Sequence, residues 1–496
     1  MTETPKRHGT PGAKRPENKK NSARGNGRFH GKPTDDRGRF SEKTDRKPRK
    51  PAVSARRAAY DSLIRCGRDG KYSNIEIDSV LKKTRLEGAE RGFFTTLVYG
   101  VIERAITLDF ALSLVSDKAP EKLDPEVRTI LRLALYQIIF LDRVPESAAV
   151  NEAVVLAKDV MFSSATFVNA VLRGYLRRFG KGTAGLFSEI SRIQDANERL
   201  SVRYSMSTDV ISLLGKYAGD TLVSLLDSLE KQPFPALRVN TLKISQDEML
   251  ERLNFGGDHA RISTVSPFGL KLKNHNITPE ISELISDGYV YIQDEASQIA
   301  VACAAPAAGE TVLDVCACPG GKSFSAAILM ENRGQVKSFD LHKNKLSLIE
   351  KGAEKMGISI ISTAEKNGAE FDPSLENSAD LVIVDAPCSG LGVIAKKPEI
   401  RYKKREDISR LPEIQRAILE NSARYVKPGG RLFYSTCTLN IHENDEIADS
   451  FAAEHPEFER MTFGVGEIQS RDGKITLRPD VHGTDGFFIA GFRRTK

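Results

Sequence analysis

The stretch 380–392, DLVIVDAPCSGLG, joins a short apolar run to an abrupt polar turn that carries Cys388. The stretch 434–439, YSTCTL, repeats this arrangement, since an apolar run ends there on Cys437. Short apolar runs bounded by turn residues are typical of buried strands in a parallel sheet. Because ligands lie beyond the carboxyl ends of such strands, the pattern predicts one site that contains Asp385, Cys388 and Cys437.

The region around these two stretches, residues 289–496, alternates strand and helix patterns. Strands are predicted over Thr311–Val315, Gln335–Phe339, Leu381–Val384 and Gly430–Ser435, and helices over Ser323–Met330, Lys343–Met356 and Pro412–Tyr425. This alternation predicts a doubly wound, Rossmann-like α/β domain.

Two further units are predicted upstream of this domain. Apolar residues at three- and four-residue spacing indicate an all-α bundle over 54–180, with helices at Ala55–Cys66, Phe93–Leu114, Val127–Phe140, Ser147–Met161 and Ala165–Phe179. Residues 188–285 read as helices followed by a small α+β module. Arg238, Asn240 and Lys243 are expected on or near its exposed edge, where they could contact nucleic acid.

The charge of the chain is concentrated in residues 1–50, which hold 16 lysines and arginines against 6 acidic residues, a net charge of +10. The remaining residues sum to −3. A segment with so few apolar residues cannot offset its ordering entropy, so it is predicted to be disordered. It is either an electrostatic arm for nucleic-acid phosphates or a solubilising leader.

Composition excludes several classes of protein. No uninterrupted apolar stretch reaches the ~18 residues of a membrane helix, and no apolar signal segment follows the start. The six cysteines are too sparse for a disulfide framework, and Cys66 and Cys303 are expected to be core residues. We therefore expect a cytoplasmic protein.

The turn Cys316–Lys322, CACPGGK, follows a buried strand and opens a helix. Its glycines let backbone approach a ligand, and the helix start presents free N–H groups. Asp340 lies 20 residues after Gly320, the distance expected for a carboxylate that binds ribose. Neither Walker A nor GxGxxG is present, which favours a mononucleoside cofactor over a dinucleotide. The C-x-C spacing is poor for zinc, so no metal is expected.

Two cysteines and a carboxylate at one site suit a specific reaction on a pyrimidine ring. A thiolate that adds to C6 makes C5 enamine-like and able to attack an electrophilic methyl group. A second acid or base then assists release, and a carboxylic acid at the N3/N4 edge of cytosine stabilises the attacked ring. The base must be unstacked to reach such a pocket.

Several motifs resemble those of the Nop2/Sun family of RNA cytosine-5 methyltransferases: CACPGGK (316–322), DAPCSGLGV (385–393), KPEIRY (397–402), YSTCTL (434–439) and DGFFIA (485–490). Residues 151–154 and 167–173 resemble the NusB-like RNA-binding fold, which narrows the resemblance to the bacterial Sun branch. The resemblance covers about 54–496. It implies S-adenosylmethionine as cofactor and 16S ribosomal RNA as partner, with cytosine 967 as target. We also expect a monomer.

The resemblance also implies residue roles. Cys437 would be the nucleophile, Cys388 would assist product release, and Asp385 would lie near both the methyl group and the base. The cofactor would lie along Cys316, Ala317, Cys318, Pro319, Gly320, Gly321 and Lys322, with Asp340 on its ribose. Asn367 stands where the family has an Asp beside the adenine, although the alignment also allows Glu365. Cys318 replaces the usual Ala.

Three other functions are considered. The same chemistry could act on tRNA or 23S rRNA. A non-catalytic RNA-binding assembly factor should have lost Cys437, Asp385 or the glycine turn, and all three are present. A Rossmann-type oxidoreductase is disfavoured by the missing GxGxxG.

Deleting residues 1–50 should weaken RNA binding at low salt and flatten its salt dependence, because each lost phosphate contact lowers the log–log slope by about 0.7–0.9. Fluorescence anisotropy with a 16S rRNA fragment over a salt series, with the full chain as control, measures this. Unchanged binding at low salt would contradict the prediction.

Overall fold

The structure is a computed structural model that describes residues 54–84, 86–275 and 277–496. The basic tail lies outside the described residues, so its disorder and its RNA contact stay predictions. Within the described ranges, no helix is both long and apolar enough to cross a membrane.

The N-terminal region is a bundle of helices around one apolar core. Its helices are α1 (Ala55–Asp69), α2 (Ser73–Lys83), α3 (Gly88–Glu103), α4 (Ala105–Ser113), α5 (Pro125–Phe140), α6 (Glu146–Val160) and α7 (Ala165–Phe179). Pro125 occupies the first turn of α5, where a missing N–H costs nothing.

One predicted helix of the bundle, Phe93–Leu114, is wrong in extent, because the helix breaks at Arg104 into α3 and α4. The Tyr402 hydroxyl accepts a hydrogen bond from Ala105 N at 3.1 Å and donates to the Ile102 carbonyl. A residue about 300 positions away therefore stabilises the break, which local periodicity cannot show.

Four helices link the bundle to the rest of the chain: α8 (Ala184–Ile190), α9 (Ala196–Tyr204), α10 (Thr208–Ala218) and α11 (Leu222–Leu229). Apolar residues of α9, α10 and α11 pack on Leu391, Ile394, Ile400 and Leu439, which belong to the loops beside the two strand-end cysteines. Leu186 and Ile190 of α8 belong instead to the core of the bundle. Helices α9, α10 and α11 thus support the two loops that carry the cysteines.

The small α+β module consists of β1 (Ala236–Val239), α12 (Gln246–Asn254), β2 (Ala260–Ile262), β3 (Gly269–Leu272), α13 (Pro279–Ser286) and β4 (Val290–Ile292). Its antiparallel sheet has the order β2-β3-β1-β4.

Two of the residues predicted on the exposed edge of this module are buried, which corrects that expectation. Arg238 is fully buried with its guanidinium over the Phe268 ring, and Asn240 Nδ2 donates to the carbonyls of Gly288 and Met356. Neither side chain is available to nucleic acid. Lys243 is exposed, as predicted.

The C-terminal region is a layered α/β domain. Its elements are α14 (Glu295–Ala304), β5 (Thr311–Asp314), α15 (Gly321–Leu329), β6 (Gln335–Asp340), α16 (Lys343–Met356), β7 (Ile361–Glu365), β8 (Ala379–Asp385), α17 (Arg405–Ile408), α18 (Leu411–Tyr425), β9 (Val426–Thr436), α19 (Asp445–Glu454), β10 (Phe458–Arg460), β11 (Gly464–Val465), β12 (Ile468–Gln469), β13 (Lys474–Leu477), α20 (Pro479–His482) and β14 (Phe487–Arg494).

The central sheet has the order β10-β14-β9-β8-β5-β6-β7, with β13 also paired to β14. Strands β5 to β9 run parallel, and β14 runs antiparallel to β9. Leu381 and Ile383 face the helices α14–α16, whereas Val382 and Val384 face α18 and α19. Burial on both faces explains why β8 is continuously apolar. The predicted fold class is confirmed, whereas the boundaries 54–180, 188–285 and 289–496 stay predictions.

The segment Pro398–Tyr402 joins these regions. Glu399 Oε1 accepts a hydrogen bond from Ser73 N at 2.6 Å, at the start of α2. The buried Arg401 guanidinium donates to the carbonyls of Tyr204 and Leu229. One short turn therefore contacts the helical bundle, the linking helices and the α/β domain.

Replacing Tyr402 by Phe should lower the midpoint of urea unfolding, because Ala105 N loses its acceptor at a cost of about 1–3 kcal/mol. Tyr72→Phe is the control, since Tyr72 is exposed. Equal midpoints for the two variants would mean that the hydrogen bond from Ala105 N to the Tyr402 hydroxyl does not stabilise the fold.

Candidate active site

The two strand-end cysteines meet. Cys388 Sγ and Cys437 Sγ lie 3.3 Å apart, and both residues are half-buried. Asp385 is opposite Ser435 in the parallel pairing of β8 with β9, so the two turns leave the sheet at the same level. The structure brings together the residues that the sequence analysis predicts at one site, and their catalytic roles stay predictions.

Asp385 stands beside the thiols and pairs with a lysine from the glycine turn. Lys322 Nζ lies 2.7 Å from Asp385 Oδ2, and Ser435 Oγ donates to Asp385 Oδ1 at 3.0 Å. Burial lowers the pKa of Lys322, but the carboxylates of Asp385 and Asp314 more than offset it, so the net shift is upward. Lys322 is therefore a fixed positive charge at this edge of the sheet.

The surroundings shift the pKa values of the two thiols in opposite directions. The pKa of Cys437 is lowered, chiefly by the hydrogen bond from the Cys388 thiol and further by Lys322 and Lys397. The pKa of Cys388 is raised well above its usual value by the same hydrogen bond, by burial and by nearby negative charge. Of the two groups, Cys437 is therefore the one whose surroundings favour the thiolate, and Cys388 the one that holds its proton more tightly.

The other cysteines at this edge are poor nucleophiles. Burial raises the pKa of Cys316, and burial together with Asp340 raises that of Cys318 to about 12. Away from the site, burial raises the pKa of Cys303 to about 12 and that of Cys66 to about 11. Cys303 is a core residue as predicted, whereas Cys66 is only half-buried.

The glycine turn has the backbone form that a ligand cradle needs. Gly320, before the first turn of α15, has φ of 108°, and an added Cβ would lie 2.6 Å from the Phe324 ring. Asp340 ends β6 as predicted and accepts hydrogen bonds from Cys318 N at 3.2 Å and His342 N at 2.9 Å. The turn and the predicted ribose carboxylate are therefore directly linked.

Asp314, at the end of β5, lies beneath this turn. Its Oδ2 accepts from Ser323 Oγ at 2.7 Å, whereas its buried Oδ1 has no partner among the described residues. Burial raises the pKa of Asp314 to about 6. Sequence reasoning did not single out this carboxylate.

A cavity of about 240 Å³ opens beside the ends of β5, β6 and β7. Val315, Phe339 and Phe371 give it apolar walls, and both Glu365 and Asn367 line it. The Asn367 side chain accepts from Ala369 N and donates to Glu370 Oε1. The walls suit a flat heteroaromatic ring.

Sequence reasoning also missed the groups that hold the cysteine loops, above all Glu443 and its partners. They carry no periodic signal, since Glu443 is a charged residue within the turn at 441–444. Among residues 54–84, 86–275 and 277–496, no group of three or more His, Cys, Asp or Glu side chains could hold a metal ion.

Three parts of the chain match known protein families. Residues 301–493 match the family described as 16S rRNA methyltransferase RsmB/F, residues 53–177 match the NusB family, and residues 211–278 match the RsmF/B-like ferredoxin-like domain. A protein of Bacillus subtilis named "Probable ribosomal RNA small subunit methyltransferase B" is 38% identical over 453 residues, which are 89% of this chain and 99% of the relative. The chain belongs to the RsmB/F methyltransferase family.

Further relatives support the membership. A protein of the same name from Synechocystis is 33% identical over 89% of this chain and 100% of its own length. The crystal structure of PH0851 has a TM-score of 0.73 and 29% identity, covering 89% of this chain and 98% of that chain. The predicted resemblance to the Sun branch, with its NusB-like N-terminal domain, is confirmed.

Replacing Lys322 by Gln should raise the pKa of Cys437, because it removes a positive charge that stabilises the thiolate. The pH profile of Cys437 alkylation by iodoacetamide, followed by peptide mass spectrometry, should therefore move to higher pH. Lys351→Gln, on an exposed position of α16, is the control. If the pH profile of Cys437 alkylation is the same in Lys322→Gln and wild type, Lys322 does not stabilise the Cys437 thiolate.

Proposed function

We propose that this protein uses S-adenosylmethionine to methylate C5 of a cytosine in 16S rRNA, namely cytosine 967, through a bond between Cys437 Sγ and C6. The observation that carries the proposal is the pair of thiols 3.3 Å apart, of which only Cys437 has a lowered pKa. The names of the relatives, ribosomal RNA small subunit methyltransferase B, support the substrate.

The residues present fit S-adenosylmethionine. Residues 316–322 would hold it through backbone N–H groups at the start of α15, and only glycine suits position 320, where φ is positive and an added Cβ would clash with the Phe324 ring. Asp340 would bind the ribose, and the free Oδ1 of Asp314 leaves an acceptor for a polar group. When bound, the cofactor supplies the electrophilic methyl group.

The adenine would occupy the cavity beside β7. Asn367 would contact its edge, with Glu365 as the alternative, because both line the cavity. An amide both donates and accepts hydrogen bonds, so Asn367 can replace the carboxylate usual in the family.

The chain's own groups then act on the cytosine. The Cys437 thiolate adds to C6, which places electron density on C5. Asp385 lies at the same strand end and would hold the N3/N4 edge of the base. The Lys322 ammonium balances the negative charge of the Asp385 carboxylate. C5 takes the methyl group from the sulfonium of the cofactor, which is left as a thioether. A base then removes the C5 proton, and the electrons of that C–H bond re-form the C5–C6 double bond as the C6–sulfur bond breaks and frees the Cys437 thiolate.

Cys388 is suited to the release step. Its raised pKa depends chiefly on its hydrogen bond to Cys437 and on burial, and in part on the Cys437 negative charge. Once Cys437 is bonded to C6, it no longer carries that charge. The Cys388 thiol then gives up its proton to solvent more readily, and the thiolate so formed accepts the C5 proton as it leaves.

The helical bundle would hold the RNA. Its match to the NusB family supports this role, and Arg173, Arg177 and Arg178 are exposed on α7. They are candidates for phosphate contacts.

That the protein is a monomer stays a prediction.

Transfer of labelled methyl groups to unmethylated 16S rRNA tests the proposal. Wild type should label one cytosine at C5, and Cys437→Ala should lose about 10³-fold or more of this activity, because the nucleophile is gone. Cys388→Ser should accumulate a covalent protein–RNA adduct on denaturing gels. Cys66→Ala, in α1, should match wild type.

Each other outcome contradicts part of the proposal. Labelling of tRNA or 23S rRNA instead would overturn the substrate and keep the chemistry. Full activity of Cys437→Ala would overturn the nucleophile. Transfer to no RNA would favour a non-catalytic assembly factor.

A further inference from the structure

Glu443 is a buried carboxylate that lies between the two cysteine loops without a cationic partner. Its side chain is fully buried, and no Lys, Arg or His of the described residues forms an ion pair with it. Burying a carboxylate costs several kcal/mol unless hydrogen bonds compensate. Hydrogen bonds must therefore replace the water that the Glu443 carboxylate loses on burial.

Neutral donors from three elements surround the carboxylate. Ser389 N donates to Oε2 at 2.8 Å, and the Ser389 hydroxyl donates to Oε1. Gln415 Nε2, from α18, donates to Oε2 at 2.9 Å, and Asn440 Nδ2 donates to Oε1 at 2.8 Å. The Tyr434 hydroxyl donates to the Glu443 carbonyl at 2.6 Å, which fixes the backbone.

These contacts link the residue after one cysteine to the turn after the other. Ser389 follows Cys388, and Asn440 lies three residues after Cys437. The Ser389 hydroxyl also lies 2.7 Å from Thr438 Oγ1, next to Cys437. Only a side chain with two acceptor oxygens can receive all four donors at once.

We propose that Glu443 is a positioning residue of the methyl transfer, whose buried carboxylate holds the Cys388 loop against the Cys437 loop and so sets the contact between the two thiols. This inference rests on the proposed function for its consequence in catalysis. Its geometric part, the separation of the thiols, stands independently of the substrate.

The negative charge also favours the division of roles between the thiols. The groups that act on Cys388 are Cys437, Glu443 and Asp385, and all three raise its pKa, with Cys437 and burial contributing more than Glu443. Asp385 also opposes the Cys437 thiolate, whereas Lys322 and Lys397 favour it. A carboxylate bonded to Ser389 thus helps to keep Cys388 protonated until Cys437 has reacted.

Disulfide trapping in the full chain measures the separation directly. Diamide oxidises two neighbouring thiols to a disulfide and is itself reduced to the hydrazine. Glu443→Gln should slow the formation of the Cys388–Cys437 disulfide by about tenfold, as expected when a hydrogen bond to a charged group no longer holds the loop. Mass spectrometry of unreduced peptides identifies the pair.

The matched control is Glu446→Gln, three residues further on, where the side chain is exposed and pairs with His442. It should trap at the wild-type rate. Glu443→Gln should also accumulate protein–RNA adduct as Cys388→Ser does, with unchanged affinity for S-adenosylmethionine by calorimetry. Glu443→Ala serves as a second variant, with slower trapping still.

Equal trapping rates for Glu443→Gln and Glu446→Gln would overturn the proposal. Loss of cofactor affinity in parallel with trapping would also overturn it, since that would indicate general unfolding. If Glu443→Gln slows trapping but the wild-type protein methylates no cytosine, the positioning role is supported and only the proposed function is contradicted.

Discussion

The site depends on the register between β8 and β9. Asp385 is paired with Ser435, so the chain leaves both strands at one level and delivers a cysteine from each turn. A slip of one residue would exchange the faces of every side chain in the strand. Apolar residues packed on both faces of β8 make that slip costly, and the thiol contact follows from this fixed register.

Two identical side chains acquire different chemistry from their surroundings. Cys437 receives a hydrogen bond and lies near lysines, which stabilise its thiolate, whereas Cys388 faces negative charge and keeps its proton. Environments that push the pKa values of neighbouring groups apart assign the acid and base roles. In the proposed reaction the two thiols act in sequence, because a bond from Cys437 to the base removes a negative charge that acts on Cys388.

The loops that carry this chemistry are tied to regions far along the chain. Lys403, just after the segment Pro398–Tyr402, donates from Nζ to the Ser389 carbonyl at 2.9 Å, next to Cys388. The same segment contacts the start of α2 through Glu399. The NusB-like bundle and one of the cysteine loops therefore share a support, which fixes the position of the bundle relative to the thiols.

The sequence by itself determined the layered fold, the glycine turn, Asp340 and the two strand-end cysteines, because strand alternation, turn residues and motif spacing are local properties. Tertiary structure alone decided the burial of Arg238 and Asn240 and the helix break at Arg104. It also decided the hydrogen bonds of the buried Glu443, whose partners come from three elements. These features depend on contacts between residues distant in the chain, and no local pattern encodes which distant group will satisfy a buried charge.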